Sequence, residues 1–111
     1  MDVFVRWMVH GDMKEVLRIE NGSFPDPWSE DDFVRCLRQR GRVGVAAVRH
    51  GRVVGYMIYD CGKSTLRVLN IAVDSECRRT GVGTALVECV KQRLSTHRAA
   101  VHILVRETNV T

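Results

Sequence analysis

Leu69-Asn70-Ile71-Ala72-Val73, followed shortly by Arg78-Arg79-Thr80-Gly81-Val82-Gly83, is the stretch that decides the fold of this chain. An apolar run typical of a buried strand empties into a short basic loop. Two glycines then open an amphipathic segment in which Val82, Leu86, Val87, Val90 and Leu94 share one helical face. A helix start offers N–H groups that have no intrahelical acceptor, together with the positive end of the helix dipole. With Arg78 and Arg79 beside it, such an end suits a ligand carrying phosphates. The first turn, Val82-Gly83-Thr84-Ala85, holds no acidic side chain to occupy it. The competing reading is a tight turn that only lets the helix pack on its sheet.

On either side of that junction the chain reads β-α-α-β-β-β-α-β, a mixed α/β layer in one domain spanning residues 1–111. Val3 to Val9 is strand-like, His10-Gly11-Asp12 turns, and Asp12 stands where a helix N-cap would. Met13, Val16 and Leu17 follow a helical period up to Ile19. Asn21 to Trp28 contains both prolines and Gly22, which predicts a loop. Ser29 with Asp32 approximates a capping box for a second helix, with Phe33, Cys36 and Leu37 on its buried side and Gly41 ending it. Val43–Val48 and Val53–Tyr59 flank Arg49-His50-Gly51-Arg52 as a hairpin. Leu66–Val73 is the central strand, Val82–Leu94 the clearest helix, and Ala99–Val105 the last strand.

A chain of 111 residues has room for one core. Its composition, 45% hydrophobic and 27% charged, is that of a globular protein. It shows no long apolar run, no signal-peptide pattern and no lipidation motif, which leads to the expectation of a cytoplasmic protein with no membrane partner. Cys36, Cys61, Cys77 and Cys89 form no CxxC pair and the histidines do not cluster near them, so neither a metal site nor a disulfide framework is expected. The net charge of +4 and pI of about 9.2 favour anionic ligands. The basic residues are scattered and carry no recognisable motif, which argues against nucleic acid.

Known phosphate motifs narrow the choice. A P-loop needs Gly-Lys-Ser/Thr, which is absent, and a dinucleotide fingerprint needs a third glycine where Leu86 stands. What remains is a pyrophosphate-bearing cofactor that is not a dinucleotide redox carrier. Leu69–Asp74 with Arg78-x-x-Gly81-x-Gly83 and Ala85-Leu86 resembles motif A of the GNAT N-acetyltransferases, whose pattern is Arg/Gln-x-x-Gly-x-Gly/Ala after strand four. Ile19-Glu20, Phe24 and Pro27-Trp28-Ser29-Glu30 resemble the early signature of the RimI-type ribosomal-protein-alanine acetyltransferases, the subfamily that modifies protein N-termini. Val105-Arg106-Glu107-Thr108-Asn109 is similar to that subfamily's segment after strand five. Together the three motifs run in order from about residue 15 to the C-terminus.

The resemblance implies an acyl-CoA N-acyltransferase fold and transfer of acetyl from acetyl-CoA to an amine, foremost a protein N-terminal α-amine such as that of a ribosomal protein. It implies that Ile71, Ala72 and Val73 line the acetyl and pantetheine arm. Arg78, Arg79, Thr80, Gly81, Val82, Gly83 and Thr84 would cradle the pyrophosphate, and Asn109 would contact the cofactor. Asn109 has an alternative role as a helix cap. Catalytic residues are not assigned. The position matching the family's glutamate base is Leu104, and its tyrosine acid would fall beyond Thr111. His102 shares a strand face with Leu104 and has a suitable pKa range for a base, though a structural histidine is the alternative.

By the same comparison the chain is expected to lack the family's usual C-terminal helix and strands. Its apolar last strand would then be open to self-association or to a missing segment. Three other functions compete with N-terminal acetylation. They are acetylation of a side-chain or small-molecule amine, acyl-CoA binding without catalysis, and nucleic-acid binding motivated by pI alone.

Overall fold

The computed structural model describes residues 3–62 and 65–92, and the backbone course of residues 100–103. Five strands form one sheet in the order β1-β2-β3-β4-β5: β1 Val3–Trp7, β2 Arg42–Arg49, β3 Arg52–Cys61, β4 Thr65–Val73 and β5 Ala100–Ile103. The first three pairings are antiparallel, and β4 pairs with β5 in parallel. Helices α1 (Met13–Ser23) and α2 (Glu30–Arg38) precede β2, and α3 (Val82–Gln92) follows β4.

The helices cover opposite faces of the sheet, which explains the nearly continuous apolar sequence of β2 and β3. Ala46, Tyr56, Ile58 and Ala72 pack with Val16, Ile19, Phe24 and Phe33 from the α1/α2 side. Val45, Ala47, Met57, Tyr59, Leu66, Val68 and Val73 pack with Val82, Leu86 and Val90 of α3. Val87 is only half-buried, so the buried stripe of α3 is narrower than the five-residue face read from sequence. The β2–β3 hairpin turns through His50 and Gly51, both left-handed at φ +52° and +75°. Two successive positive φ values define the turn whose twist matches a two-residue hairpin.

Three local expectations need correction. Helix α1 continues through Asn21 and Gly22 to Ser23, because packing of Val16, Ile19 and Glu20 against the sheet outweighs the weak helix propensity of its end. Asp12 does not cap α1. Its carboxylate turns back to the Val9 N–H at 2.9 Å and to both terminal nitrogens of Arg6 at 2.7 and 2.8 Å. Gly41 does not end α2, which stops at Arg38 with Gln39 extended. Instead, Gly41 at φ +84° steers the chain into β2, where its carbonyl accepts from the Cys61 N–H at 2.8 Å. The Ser29–Asp32 capping box forms reciprocally, at 3.1 and 2.8 Å. The expectations resting on Leu94, Ala99, Leu104, Val105 and Asn109 lie outside the described residues.

Candidate active site

The site is organised by an irregularity in β4. Tyr59 pairs with Val68, but the next residue of β3, Ile58, pairs with Asn70, so Leu69 is an extra residue on β4. A bulge of this kind bends its strand and re-aims side chains. It places Leu69 and Asn70 together on the α1/α2 face, after which Ile71 returns to the α3 face. The described parallel pairing with β5 runs over Thr65–Val68 and Ala100–Ile103, up to the bulge.

Asn70 turns its amide inward to a carboxylate. Glu20 of α1 is fully buried and accepts from Asn70 Nδ2 at 2.9 Å, from the Trp28 N–H at 2.8 Å and from the Tyr56 hydroxyl. A buried carboxylate is tolerated only when its oxygens are matched by donors, and three are in place here. Asn70 Oδ1 is buried without a hydrogen-bond partner. Trp28 meets Phe33 edge-on at 5.1 Å between ring centroids, and Phe33 meets Tyr56 in the same manner at 5.8 Å. Outside this wall lies a cavity of about 580 Å³ bordered by Trp28, Asp32, Arg35, Cys36, Arg42 and Leu69. The size falls within the ordinary range for small-ligand sites.

On the other face, β4 leads to the basic loop. The Asp74 N–H donates to the Val54 carbonyl at 2.9 Å. Strand alternation therefore points the backbone of Ala72 toward β3, and that of Ile71 and Val73 to the opposite edge. Asp74 also accepts from the Glu76 N–H at 3.1 Å and from Arg18 of α1 at 3.0 Å. Burial pushes its carboxyl up, but these donors outweigh burial and hold it below the usual aspartate range. Arg78 points back, donating from Nε to the Val73 carbonyl and from Nη2 to Ser23 Oγ, both at 3.3 Å. Arg79 is exposed, and its backbone is left-handed at φ +66°, as is Gly81 at +90°. The Thr80 hydroxyl donates to the Cys77 carbonyl.

Helix α3 then begins. Ala85 N–H donates to the Gly81 carbonyl at 2.9 Å, so the N–H groups of Val82, Gly83 and Thr84 precede the first helical bond. No acidic residue occupies that turn. Gly83 has no internal reason to be glycine: it is not left-handed, and an added Cβ would meet only Val73 Cγ2 at an ordinary 3.9 Å. Glycine in a helix costs about 1 kcal/mol relative to alanine. A glycine in the first turn of α3 leaves the backbone beside these unbonded N–H groups free of a side chain, as close approach of an anion requires.

The structure thus places Arg79 to Thr84 in one loop and first helical turn, with Ile71 and Val73 on the strand that leads to it. Arg78 braces the loop from behind, and the side chain of Ala72 sits in the opposite core. Asn109 is outside the described residues. In the sequence Glu20 and Asn70 stand only as members of motifs, and nothing marks Tyr56 or Arg42. The available signal was a carboxylate beside Val16 and Ile19 on an otherwise apolar helical face.

Residues 13–111 match the profile described as the Acetyltransferase (GNAT) family. The chain is 29% identical over 119 residues to an N-alpha-acetyltransferase of Sulfolobus acidocaldarius, covering 95% of this chain and 71% of that protein. Among solved structures it resembles the ribosomal-protein-S18-alanine N-acetyltransferase of Escherichia coli, with TM-score 0.78 and 23% identity over 96% of this chain and 69% of the other. It also resembles Ard1 of Thermoplasma volcanium, with TM-score 0.78 and 25% identity over 98% of this chain and 75% of the other.

Proposed function

Since this chain belongs to the GNAT family, acetyltransferases that move acetyl from acetyl-CoA to an amine, we propose that its acceptor is the α-amine of a protein N-terminus. A ribosomal protein is the kind of substrate we infer, with the cytoplasm as the place of action. The observation that carries the reading is the arrangement of two openings around one bulged strand. The anion-accepting start of α3 lies on one face of β4, and the cavity beside Trp28 and Leu69 lies on the other. An amine entering from the Trp28 side and a CoA ester held at Gly81–Thr84 would converge on the Leu69–Val73 segment. The name of the Sulfolobus relative supports the same choice of amine.

When bound, acetyl-CoA supplies an activated thioester carbonyl. The chain's own part is to hold the diphosphate with the N–H groups of Val82, Gly83 and Thr84 and the charge of Arg79. The edge of β4 carrying Ile71 and Val73 orients the acyl arm. The aromatic wall of Trp28, Phe33 and Tyr56, locked by Glu20, shapes the acceptor side. Attack requires a neutral amine, hence a base. His102, on β5 at the register of Arg67, is the side chain we assign to test in that role. A pH–rate profile unchanged by His102→Ala would remove it.

The deciding experiment follows thiol release with short peptides beginning in Ala or Ser, and locates the acetyl group by mass spectrometry. Acetylation of the α-amine, and none when that amine is blocked, is the expected result. Modification confined to a lysine side chain or a small amine would overturn the choice of acceptor. CoA binding without thiol release would instead favour the acyl-CoA-binding module, the reading motivated by Leu104 at the base position.

A further inference from the structure

Arg42, at the start of β2, borders the acceptor-side cavity with its side chain 21% exposed. A guanidinium has five N–H donors arranged to grip a carboxylate in two places. Among the described residues it has no such partner. Nη1 lies 3.2 Å from Cys36 Sγ, a weak acceptor, and Nε lies 3.4 Å from Asp60 Oδ1. Asp60 is itself shared, because Arg67 approaches its other oxygen at 3.5 Å. One carboxylate therefore faces two guanidiniums. Asp32, the acid that lines the cavity, is engaged in capping α2 and in its contact with Arg35 at 2.5 Å. Among the described residues the result is a partly desolvated cation opening onto a cavity, with one carboxylate shared between it and Arg67.

We propose that this cavity is a carboxylate-reading subsite, and that the preferred acceptors are protein N-termini with Glu or Asp among the residues just after the first. The inference rests on the N-terminal reading above and adds to it a substrate class. Leu69 and Trp28 mark the end of the cavity nearest the β4 bulge, toward which the α-amine must point. The side chains that follow the amine then lie along the cavity toward Arg42 and Arg35. An acidic side chain there gives Arg42 the two-point contact that Cys36 and Asp60 do not provide. A basic side chain would meet two arginines.

The test compares two peptides that differ only at positions 2 and 3, Ala-Glu-Glu and Ala-Gln-Gln, with acetyl-CoA saturating. Charge-assisted hydrogen bonds are roughly twice as strong as neutral ones, and about 1.4 kcal/mol is tenfold. A preference of about tenfold in kcat/KM for the acidic peptide is therefore expected, carried by KM and shrinking with added salt. Arg42→Gln should bring the ratio close to one. Asp60→Asn releases Arg42 from its competing carboxylate and should raise the ratio, a reading that survives even if Arg42→Gln folds poorly. A wild-type ratio near or below one, or a ratio unmoved by both variants, overturns the proposal. Peptide binding to the CoA-saturated protein, followed by tryptophan fluorescence, separates the two levels. Preference in binding without product sustains the subsite and defeats the enzymatic reading. Turnover of both peptides at equal efficiency does the reverse.

Discussion

Glu20 on α1 and Asn70 at the β4 bulge, fifty residues apart in sequence, are joined by a 2.9 Å hydrogen bond inside the core. The same carboxylate holds the Trp28 N–H and the Tyr56 hydroxyl, so one side chain links the aromatic wall beside the cavity to the bulged strand β4. Glu20→Ala would remove the acceptor shared by two buried donors, Asn70 Nδ2 and the Tyr56 hydroxyl, and by the partly buried Trp28 N–H, and an unmatched buried donor costs about 1–3 kcal/mol. We expect a loss of at least about 3 kcal/mol in urea denaturation. Glu20→Gln keeps the shape but sets an amide N–H against one of those donors, and should cost about 2 kcal/mol. It should also raise the KM for peptide more than that for acetyl-CoA, because Trp28 loosens before the α3 end does. Equal effects on the two KM values would show that Glu20 serves only the core.

Gly55 on β3 carries the approach of α3 to the sheet. A Cβ there would stand 2.9 Å from Val82 Cγ1, 3.1 Å from the Ala72 carbonyl and 3.3 Å from Leu86 Cδ1. Overpacking of this kind costs about 1–3 kcal/mol. Gly55→Ala is expected to lose about that much and to weaken CoA binding severalfold, since Val82 is the first residue of the anion-accepting turn. Val82→Ala should recover part of the loss when combined with it, and a double-mutant cycle measures the coupling. Strict additivity would mean that the sheet yields instead of the helix.

Sequence patterning conveyed the elements that rest on local signals. The hairpin at His50-Gly51, the Ser29–Asp32 box and the Val82–Leu86–Val90 stripe each depend on residues within a few positions of one another. The glycine-opened start of α3 was legible for the same reason. The end of α1 was not, because Asn21 and Gly22 read as loop residues while the packing that keeps them helical comes from β3 and β4. The bulge at Leu69 carries no glycine to announce it. Glu20, Tyr56 and Asn70 meet only once the sheet has formed, across separations of 36 and 50 residues that no local period encodes. The charge imbalance at Arg42 likewise depends on Asp60 and Arg67, which β3 and β4 bring to it.

Acid stability should depend on two aspartates. Hydrogen bonds from Arg6 hold the Asp12 carboxyl below the usual aspartate range against the opposing effect of burial, and the Val9 N–H adds to them. Asp74 is also lowered, its donors outweighing its burial. Both groups are more acidic folded than unfolded, so the unfolded chain binds protons first as pH falls. Their stabilisation is complete above the unfolded value of about 3.9 and is lost as pH drops through the lower folded values. Urea denaturation between about pH 6 and pH 2.5 should therefore show stability declining toward acid. Asp12→Asn is expected to cost about 1 kcal/mol at neutral pH and to flatten that decline. An unchanged slope would mean that the Arg6 contact persists to a similar degree in the unfolded chain.

Gly83 offers the cleanest separation of fold from function, because the two demands on it have opposite signs. Within the protein an alanine Cβ at this helical position meets only Val73 Cγ2 at 3.9 Å. Replacing a helical glycine whose conformation alanine can adopt stabilises by about 0.4–1 kcal/mol, largely by restricting the unfolded chain. Gly83→Ala should therefore raise the denaturation midpoint slightly. In the proposed complex the diphosphate must approach the unbonded N–H groups of this same turn, a side chain there crowds it, and CoA affinity should fall about tenfold or more. Gly83→Leu should abolish binding while the protein remains folded. Calorimetric titration with CoA, paired with thermal denaturation of each variant, reads both effects. Affinity retained in the leucine variant would reduce this turn to a packing device and leave the α3 end without a ligand.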